Sequence, residues 1–212
     1  MQNPLETLKM KQHDCIVAFS GGVESTALLH HVVKRGQTPL VIHVDVVSHW
    51  QHQVEAVDII SSKLDVDTRY IEFHNEHPLS DKQKMLSHYW DLGINPPFFF
   101  TWSNIMQIVN INNPHIHNVY YGFNTGIDKH TDWVDDHFRS IERVLEALNI
   151  PTQFSAPLGH MTKKEQWDTI PRDLKHHVHS CSHRSKKQCG VCLLYTSPSP
   201  RDQRGSRMPS SA

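Results

Sequence analysis

The sequence predicts an α/β fold, a Rossmann-like parallel sheet with helices on both faces, followed by a small C-terminal segment rich in cysteine. Three observations lead there. Short, near-continuous apolar runs alternate with stretches of helical periodicity, the pattern of strands buried on both faces. The first such run ends in a Ser-Gly-Gly turn that feeds a helix. With 212 residues, 38% hydrophobic and 20% charged, the chain suits one globular domain with an appendage.

Taken in order, Asp14-Cys15-Ile16-Val17-Ala18-Phe19 reads as a first buried strand. Glu24 to Lys34 sets Ala27, Leu28, Val32 and Val33 on one side of a helix, which Gly36 stops at a position suited to positive φ. Pro39 to Val46 is a second strand. Gln53 to Lys63 is a second helix with Val54, Val57, Ile60 and Leu64 as its stripe, and Thr68 to Phe73 is a third strand. Residues 74–100 are polar and then reach Asn95-Pro96-Pro97-Phe98-Phe99-Phe100, an expected excursion from the sheet. Trp102 to Ile111 reads as a helix and Val119-Tyr120-Tyr121-Gly122 as a fourth strand entering a loop. Asp132 to Leu148 is strongly amphipathic, with Pro151 closing it. Thr162-Lys163-Lys164-Glu165 is a capping box, in which the Thr162 hydroxyl and the Glu165 carboxylate satisfy each other's free amides.

Bulk properties narrow the function classes. No apolar run approaches the about 18 residues needed to cross a bilayer. A formal net charge of -1 offers no electrostatic case for direct nucleic-acid binding. Met1 to Glu6 lack a basic start and an apolar core, so no secretory signal is expected and a cytoplasmic location follows by default. In that reducing compartment Cys181, Cys189 and Cys192 read as a metal cluster rather than as disulfides, while Cys15 stands alone in the first strand. Most of the 18 histidines are scattered singly, as surface or helix-face residues are. From Thr196 to Ala212 only Met208 and Ala212 are apolar, so order is not expected there. That stretch is either a genuine disordered tail or a non-native one resembling read-through into adapter DNA, with the natural chain interrupted near 191–193. The expected organisation is a nucleotide-binding domain over 1–175, a cysteine-rich segment over 176–195 and the tail over 196–212.

Chemistry concentrates at Ser20-Gly21-Gly22-Val23-Glu24-Ser25. Two glycines let backbone amides approach phosphate oxygens, the helix beginning near Val23 presents its positive end, and Ser20 and Ser25 add hydroxyl donors. Neither Gly-x-x-x-x-Gly-Lys-Ser/Thr nor Gly-x-Gly-x-x-Gly is present, so Walker-type and dinucleotide loops are disfavoured. Placed between a buried strand and an amphipathic helix, the segment resembles the PP-loop ATP pyrophosphatases, an adenine nucleotide alpha hydrolase-like fold whose loop is Ser-Gly-Gly-x-Asp-Ser. Glu24 departs from that pattern by one methylene. The resemblance implies that Ser20, Gly21, Gly22, Val23, Glu24 and Ser25 hold ATP. Ser20, Glu24, Ser25 and Lys163 would then assist departure of pyrophosphate with Mg2+, unless Lys163 is simply solvated. Asp45, at the end of the second strand, either accepts a hydrogen bond from ribose or adenine or caps the next helix.

Within that superfamily the C-terminal end resembles the 7-cyano-7-deazaguanine (preQ0) synthases. Ser180-Cys181 followed by Cys189-Gly190-Val191-Cys192 is similar to their zinc motif. Ala156-Pro157-Leu158 with Met161 to Glu165, Gly122-Phe123-Asn124 with Asp128, and Glu55-Ala56 extend the likeness over about residues 14–192. Departures are Ser103-Asn104 where Arg-Asn is usual, Val46-Val47-Ser48 for Tyr-Gly-Gln, and Tyr195 where a fourth cysteine belongs. The resemblance implies Zn2+ on Cys181, Cys189 and Cys192, completed by His179, His183 or a native cysteine lost at 195. It further implies ATP-dependent conversion of 7-carboxy-7-deazaguanine and ammonia to the nitrile, in queuosine biosynthesis, by a homodimer. Gly122 would border the nucleotide, and Phe100, Asn104, Asn124 and Asp128 the heterocycle, with Phe98 and Phe99 either beside it or in the core. The alternatives are a PP-loop sulfur-transfer enzyme acting on tRNA or adenylyl sulfate, and a zinc-braced module that binds ATP without turnover.

Overall fold

A computed structural model describes residues 12–45, 51–72, 96–124 and 132–180. Its frame is a five-stranded sheet, all parallel, made of β1 (Cys15–Ala18), β2 (Pro39–Asp45), β3 (Asp67–Glu72), β4 (Asn118–Tyr120) and β5 (Gln153–Ser155). The strand order is β3-β2-β1-β4-β5. The described helices are α1 (Val23–Lys34), α2 (Gln51–Lys63), α3 (Pro96–Ile111), α4 (Asp132–Ala147), α5 (Lys163–Thr169) and α6 (Arg172–Lys175).

Period-two alternation along each strand sends neighbouring side chains to opposite faces, and each face has its own core. Ile16, Ala18, Leu40, Ile42 and Val119 pack with Met106 and Val109 of α3 and Phe138, Ile141 and Leu145 of α4. Cys15, Val17 and Val41 pack on the other side with Ala27, Leu28 and Val32 of α1, Val57 and Ile60 of α2, and Leu174 of α6. Burial on both faces explains why β1 and β2 carry almost no polar residue. The exceptions are Asp45 at the end of β2 and the buried His43, whose Nδ1 lies 2.9 Å from the carbonyl oxygen of Phe19. The expected α/β architecture is therefore the observed one.

Three helices end the same way. After α1, Gly36 has φ +77, its amide donates to Val33 and that of Gln37 donates to Val32. Asp65 (φ 51) after α2 and Asn149 (φ 58) after α4 make the equivalent pair of bonds. In each, a left-handed residue satisfies carbonyls that the last helical turn leaves open. Asn149, rather than Pro151, is thus what closes α4. The expected excursion at Pro96 to Phe100 is the first turn of α3 instead, because proline is tolerated where the amide has no intrahelical acceptor. β5 escaped the sequence pattern: in three residues only Phe154 is buried, too short a run for alternation to register.

Gly36→Ala is expected to cost about 1 kcal/mol of stability. Nothing lies within 4 Å of the added methyl, so the cost comes from backbone strain alone. Chemical denaturation of the variant checks it.

Burial lowers the pKa of His137, and of His30 and His31 with further help from Lys34 and Arg35 on the same helix. Each therefore takes up its proton at lower pH in the folded chain than in the unfolded chain, where it does so near pH ~6.5. Their contribution is complete above that pH and is lost as pH falls towards the folded values. The urea midpoint is expected to drop between pH 7.5 and 5.5, and His137→Gln to shrink that drop.

Candidate functional site

Chain order along the sheet reverses beside β1. The chain runs β1, β2, β3 outward on one side and then returns to lay β4 on the other. Open parallel sheets bind ligands beyond the carboxyl ends of their strands at such a reversal. The loops leaving β1 and β4, residues 19–22 and 121–124, meet at this point.

The β1 loop is built for close approach. Gly21 takes φ +77, a left-handed conformation that L side chains rarely adopt, and a Cβ there would lie 3.1 Å from Ala56 Cβ. Ser25, on the first turn of α1, reaches back: its Oγ accepts from the Ser20 amide at 3.2 Å, lies 3.1 Å from Ser20 Oγ and donates to the Gly22 carbonyl at 3.3 Å. Ser20 and Ser25, predicted as phosphate ligands, thus also hold the loop in shape. Gly122 comes closest of all. A Cβ on it would lie 2.7 Å from both the Glu24 carbonyl carbon and the Ser25 nitrogen, so only glycine lets the β4 loop lie against the start of α1.

Glu24 is the charged centre of the site. Its Oε1 accepts from Asn124 Nδ2 at 2.8 Å and from Lys163 Nζ at 2.9 Å. Both side chains of the ion pair are only 12% exposed. Lys163 is therefore not the solvated lysine that its place on the first turn of a helix allows. A cation at a helix N-terminus is disfavoured by the dipole, so the Glu24 carboxylate is what holds it there. The Thr162 capping box sets where α5 begins: Thr162 Oγ1 accepts from the Glu165 amide at 3.2 Å, and Glu165 Oε2 accepts from the Thr162 amide at 2.7 Å. Gln166, fully buried one turn further on, donates through Nε2 to the carbonyls of Phe123 and Leu158, tying α5 to the β4 loop.

The segment preceding the cysteines also meets the loop. The His179 amide donates to the Gly21 carbonyl at 2.9 Å, and Ser180 Oγ accepts from the Val23 amide at 3.0 Å. The His179 ring lies 5.8 Å from that of His52 on α2. Both His179 and Ser180 were expected with the metal cluster, and no local signal in the sequence ties either to residues 21–23.

The remaining expected site residues are less informative. Asp45 ends β2 and Phe100 lies on α3, where the backbone alone is described. Asn104 is exposed on α3, while its neighbour Ser103 is buried with Oγ 2.7 Å from His137 Nε2. Asp128, Cys181, His183, Cys189 and Cys192 lie outside the described residues, among which no cluster of metal-ligating side chains occurs. Cys15 is fully buried in β1 and its thiol is pushed up to about 12 by desolvation, with Asp14 adding to the shift. A nucleophilic thiol needs the opposite shift.

No protein-family profile and no curated protein matches this sequence. Solved structures do. One is a predicted subunit of a tRNA methyltransferase from Methanocaldococcus jannaschii, 15% identical, with TM-score 0.46 over 78% of this chain and 73% of that one. Another is the U34-tRNA thiolase NcsA from Methanococcus maripaludis with its [4Fe-4S] cluster, 15% identical, with TM-score 0.47 over 86% of this chain and 62% of that one. This chain thus spans less than two thirds of the thiolase.

Lys163→Met leaves the Glu24 carboxylate mostly buried beside a single neutral donor. It is expected to cost about 2–3 kcal/mol, below the range for a fully buried pair because some exposure remains. The double variant Glu24→Gln/Lys163→Met is expected to recover more than half of that loss. Equilibrium unfolding of the three variants measures the coupling.

Proposed function

We propose that this protein binds ATP at the loop from Ser20 to Ser25 and splits it to AMP and pyrophosphate in order to activate a carboxylate. The observation that carries the reading is a glycine-bearing loop and helix start at the reversal of strand order, with a lysine paired to the loop's own acidic residue. Departure of pyrophosphate accumulates negative charge on the leaving oxygens. Fixed donors and a cation already in place stabilise that charge without reorganising.

The donor set suits the ligand and its metal. Glu24 and Ser25 present amides of the first turn, which have no acceptor within the helix, while those of Gly22 and Val23 already donate to Ser20 Oγ and Ser180 Oγ. Glu24 Oε1 is engaged by Asn124 and Lys163, whereas Oε2 lies towards the loop, 3.7 Å from where a Gly22 Cβ would be. Oε2 is thus the oxygen to offer a phosphate-bound Mg2+, an oxygen-seeking ion that retains several waters. When bound, the ion would neutralise the leaving pyrophosphate. Lys163 balances Glu24 whether or not the metal is present.

The proposed substrate is 7-carboxy-7-deazaguanine, which rests on the sequence resemblance around Ala156-Pro157-Leu158, Gly122-Phe123-Asn124 and the cysteines. Its carboxylate oxygen would attack the α-phosphorus, forming an acyl-adenylate as the bond to pyrophosphate breaks. Ammonia would displace AMP to give the amide. A second ATP would activate the amide oxygen, and loss of AMP would leave the nitrile. Zn2+ on Cys181, Cys189 and Cys192 is proposed as structural, and a homodimer as the assembly.

The test is to incubate the chain with ATP, Mg2+, ammonium and 7-carboxy-7-deazaguanine, then resolve AMP and the nitrile by mass spectrometry. Both are expected, in a ratio of two AMP to one nitrile. Lys163→Met is expected to lower the rate about a hundredfold. AMP without nitrile would point to a different acceptor. No ATP consumption by a chain with cysteine at 195 would sink the catalytic reading.

A further inference from the structure

The N-terminus of α1 lacks a cap of its own, because Gly22 precedes it without a side chain. The amide of Val23, the first helical residue, is instead satisfied by Ser180 Oγ from the far end of the described chain, at 3.0 Å. The two residues before Ser180 anchor this contact: Val178 is buried in the core under α1, and the His179 amide donates to the Gly21 carbonyl at 2.9 Å. Ser180 itself is 7% exposed.

We propose that Ser180 belongs to the phosphate cradle, its hydroxyl donating its proton to a phosphate oxygen of the bound nucleotide. The inference deepens the nucleotide reading of the loop and rests on it. A serine hydroxyl carries one donor and two acceptor sites. Accepting from Val23 uses one acceptor site, and among the described residues nothing takes the proton. An acceptor seated on the positive end of a helix becomes a better donor, since its O–H is polarised by the bond it receives.

The position fits that role. Ser180 Oγ and Ser20 Oγ each lie 3.4 Å from the point a Gly22 Cβ would occupy. Glu24 Oε2 lies 3.7 Å from the same point. Oxygens from both sides of Gly22 within the loop and from residue 180 therefore converge over a residue that has no side chain. A cap needed only for helix stability could be supplied locally, by a serine or aspartate in place of Gly22. Supplying it from residue 180 adds a donor there and joins the cysteine-bearing segment to the loop.

Calorimetric titration of the full chain with pyrophosphate, and with ATP and Mg2+, tests the proposal. Ser180→Ala is expected to weaken pyrophosphate binding about tenfold or more, as loss of a hydrogen bond to a charged group does. Should that variant fail to fold, Ser180→Thr and Ser180→Val, equal in shape, replace it: the threonine is expected to bind within about threefold of the parent and the valine to be as weak as predicted for alanine. Unchanged affinity in alanine and valine variants, with only a lower melting temperature, would make Ser180 a helix cap and overturn the proposal. Tighter binding would overturn it too, because the hydroxyl would then be occupying the anion's own place. If the unaltered chain binds neither pyrophosphate nor ATP, the nucleotide reading itself fails, an outcome distinct from equal binding by parent and variant.

Discussion

A carboxylate that is nearly buried must be paired, and Glu24 meets that requirement with groups from two distant parts of the chain. Asn124 comes from the loop after β4 and Lys163 from the first turn of α5. Removing one partner of such a set costs far more than the pair contributes when intact. The arrangement therefore specifies where the β4 loop and α5 sit relative to α1, more than it adds to stability.

The backbone imposes the same geometry independently. Gly122 lies so close to the Glu24–Ser25 peptide that no side chain fits between them, and Gln166 fastens α5 to the carbonyls of Phe123 and Leu158. From the other side, His179 and Ser180 hold the carbonyl of Gly21 and the amide of Val23. The loop from Ser20 to Ser25 is thus clamped by chain arriving from three directions. Under the proposed nucleotide reading this matters, since donors held in place need no rearrangement when a multiply charged anion arrives.

The fold was legible in the sequence wherever burial was two-sided and the element long enough to show its period. β1, β2, α1, α2 and α4 are such elements, and Gly36 marked the end of α1, whereas the left-handed residues closing α2 and α4, Asp65 and Asn149, were not read from sequence. What escaped is short or unusual in composition: β5 has three residues, α6 has four, and the opening of α3, ahead of the expected helix from Trp102, carries two prolines. Local pattern carries little information over one turn or one pleat. Within the site, the loop motif and the Thr162 capping box were legible because each is satisfied within a few residues of sequence. The pairing of Lys163 was not, since a lysine on a first helical turn looks the same whether it faces water or a carboxylate.

By itself, the sequence determined a parallel α/β sheet, a glycine turn between its first strand and helix, and the inventory of groups able to meet a phosphate. These follow from hydrophobic periodicity and from backbone conformations that only certain residues adopt. Tertiary structure alone decided which of those groups meet. Strand order put β4 beside β1 and so brought Asn124 to Glu24. Packing of α5 and α6 on the face of α1 brought Lys163 and, through Val178, Ser180 to the same few ångströms. Contacts between residues a hundred or more positions apart depend on how whole elements stack, and that stacking is set by the summed burial of both sheet faces rather than by any local run of residues.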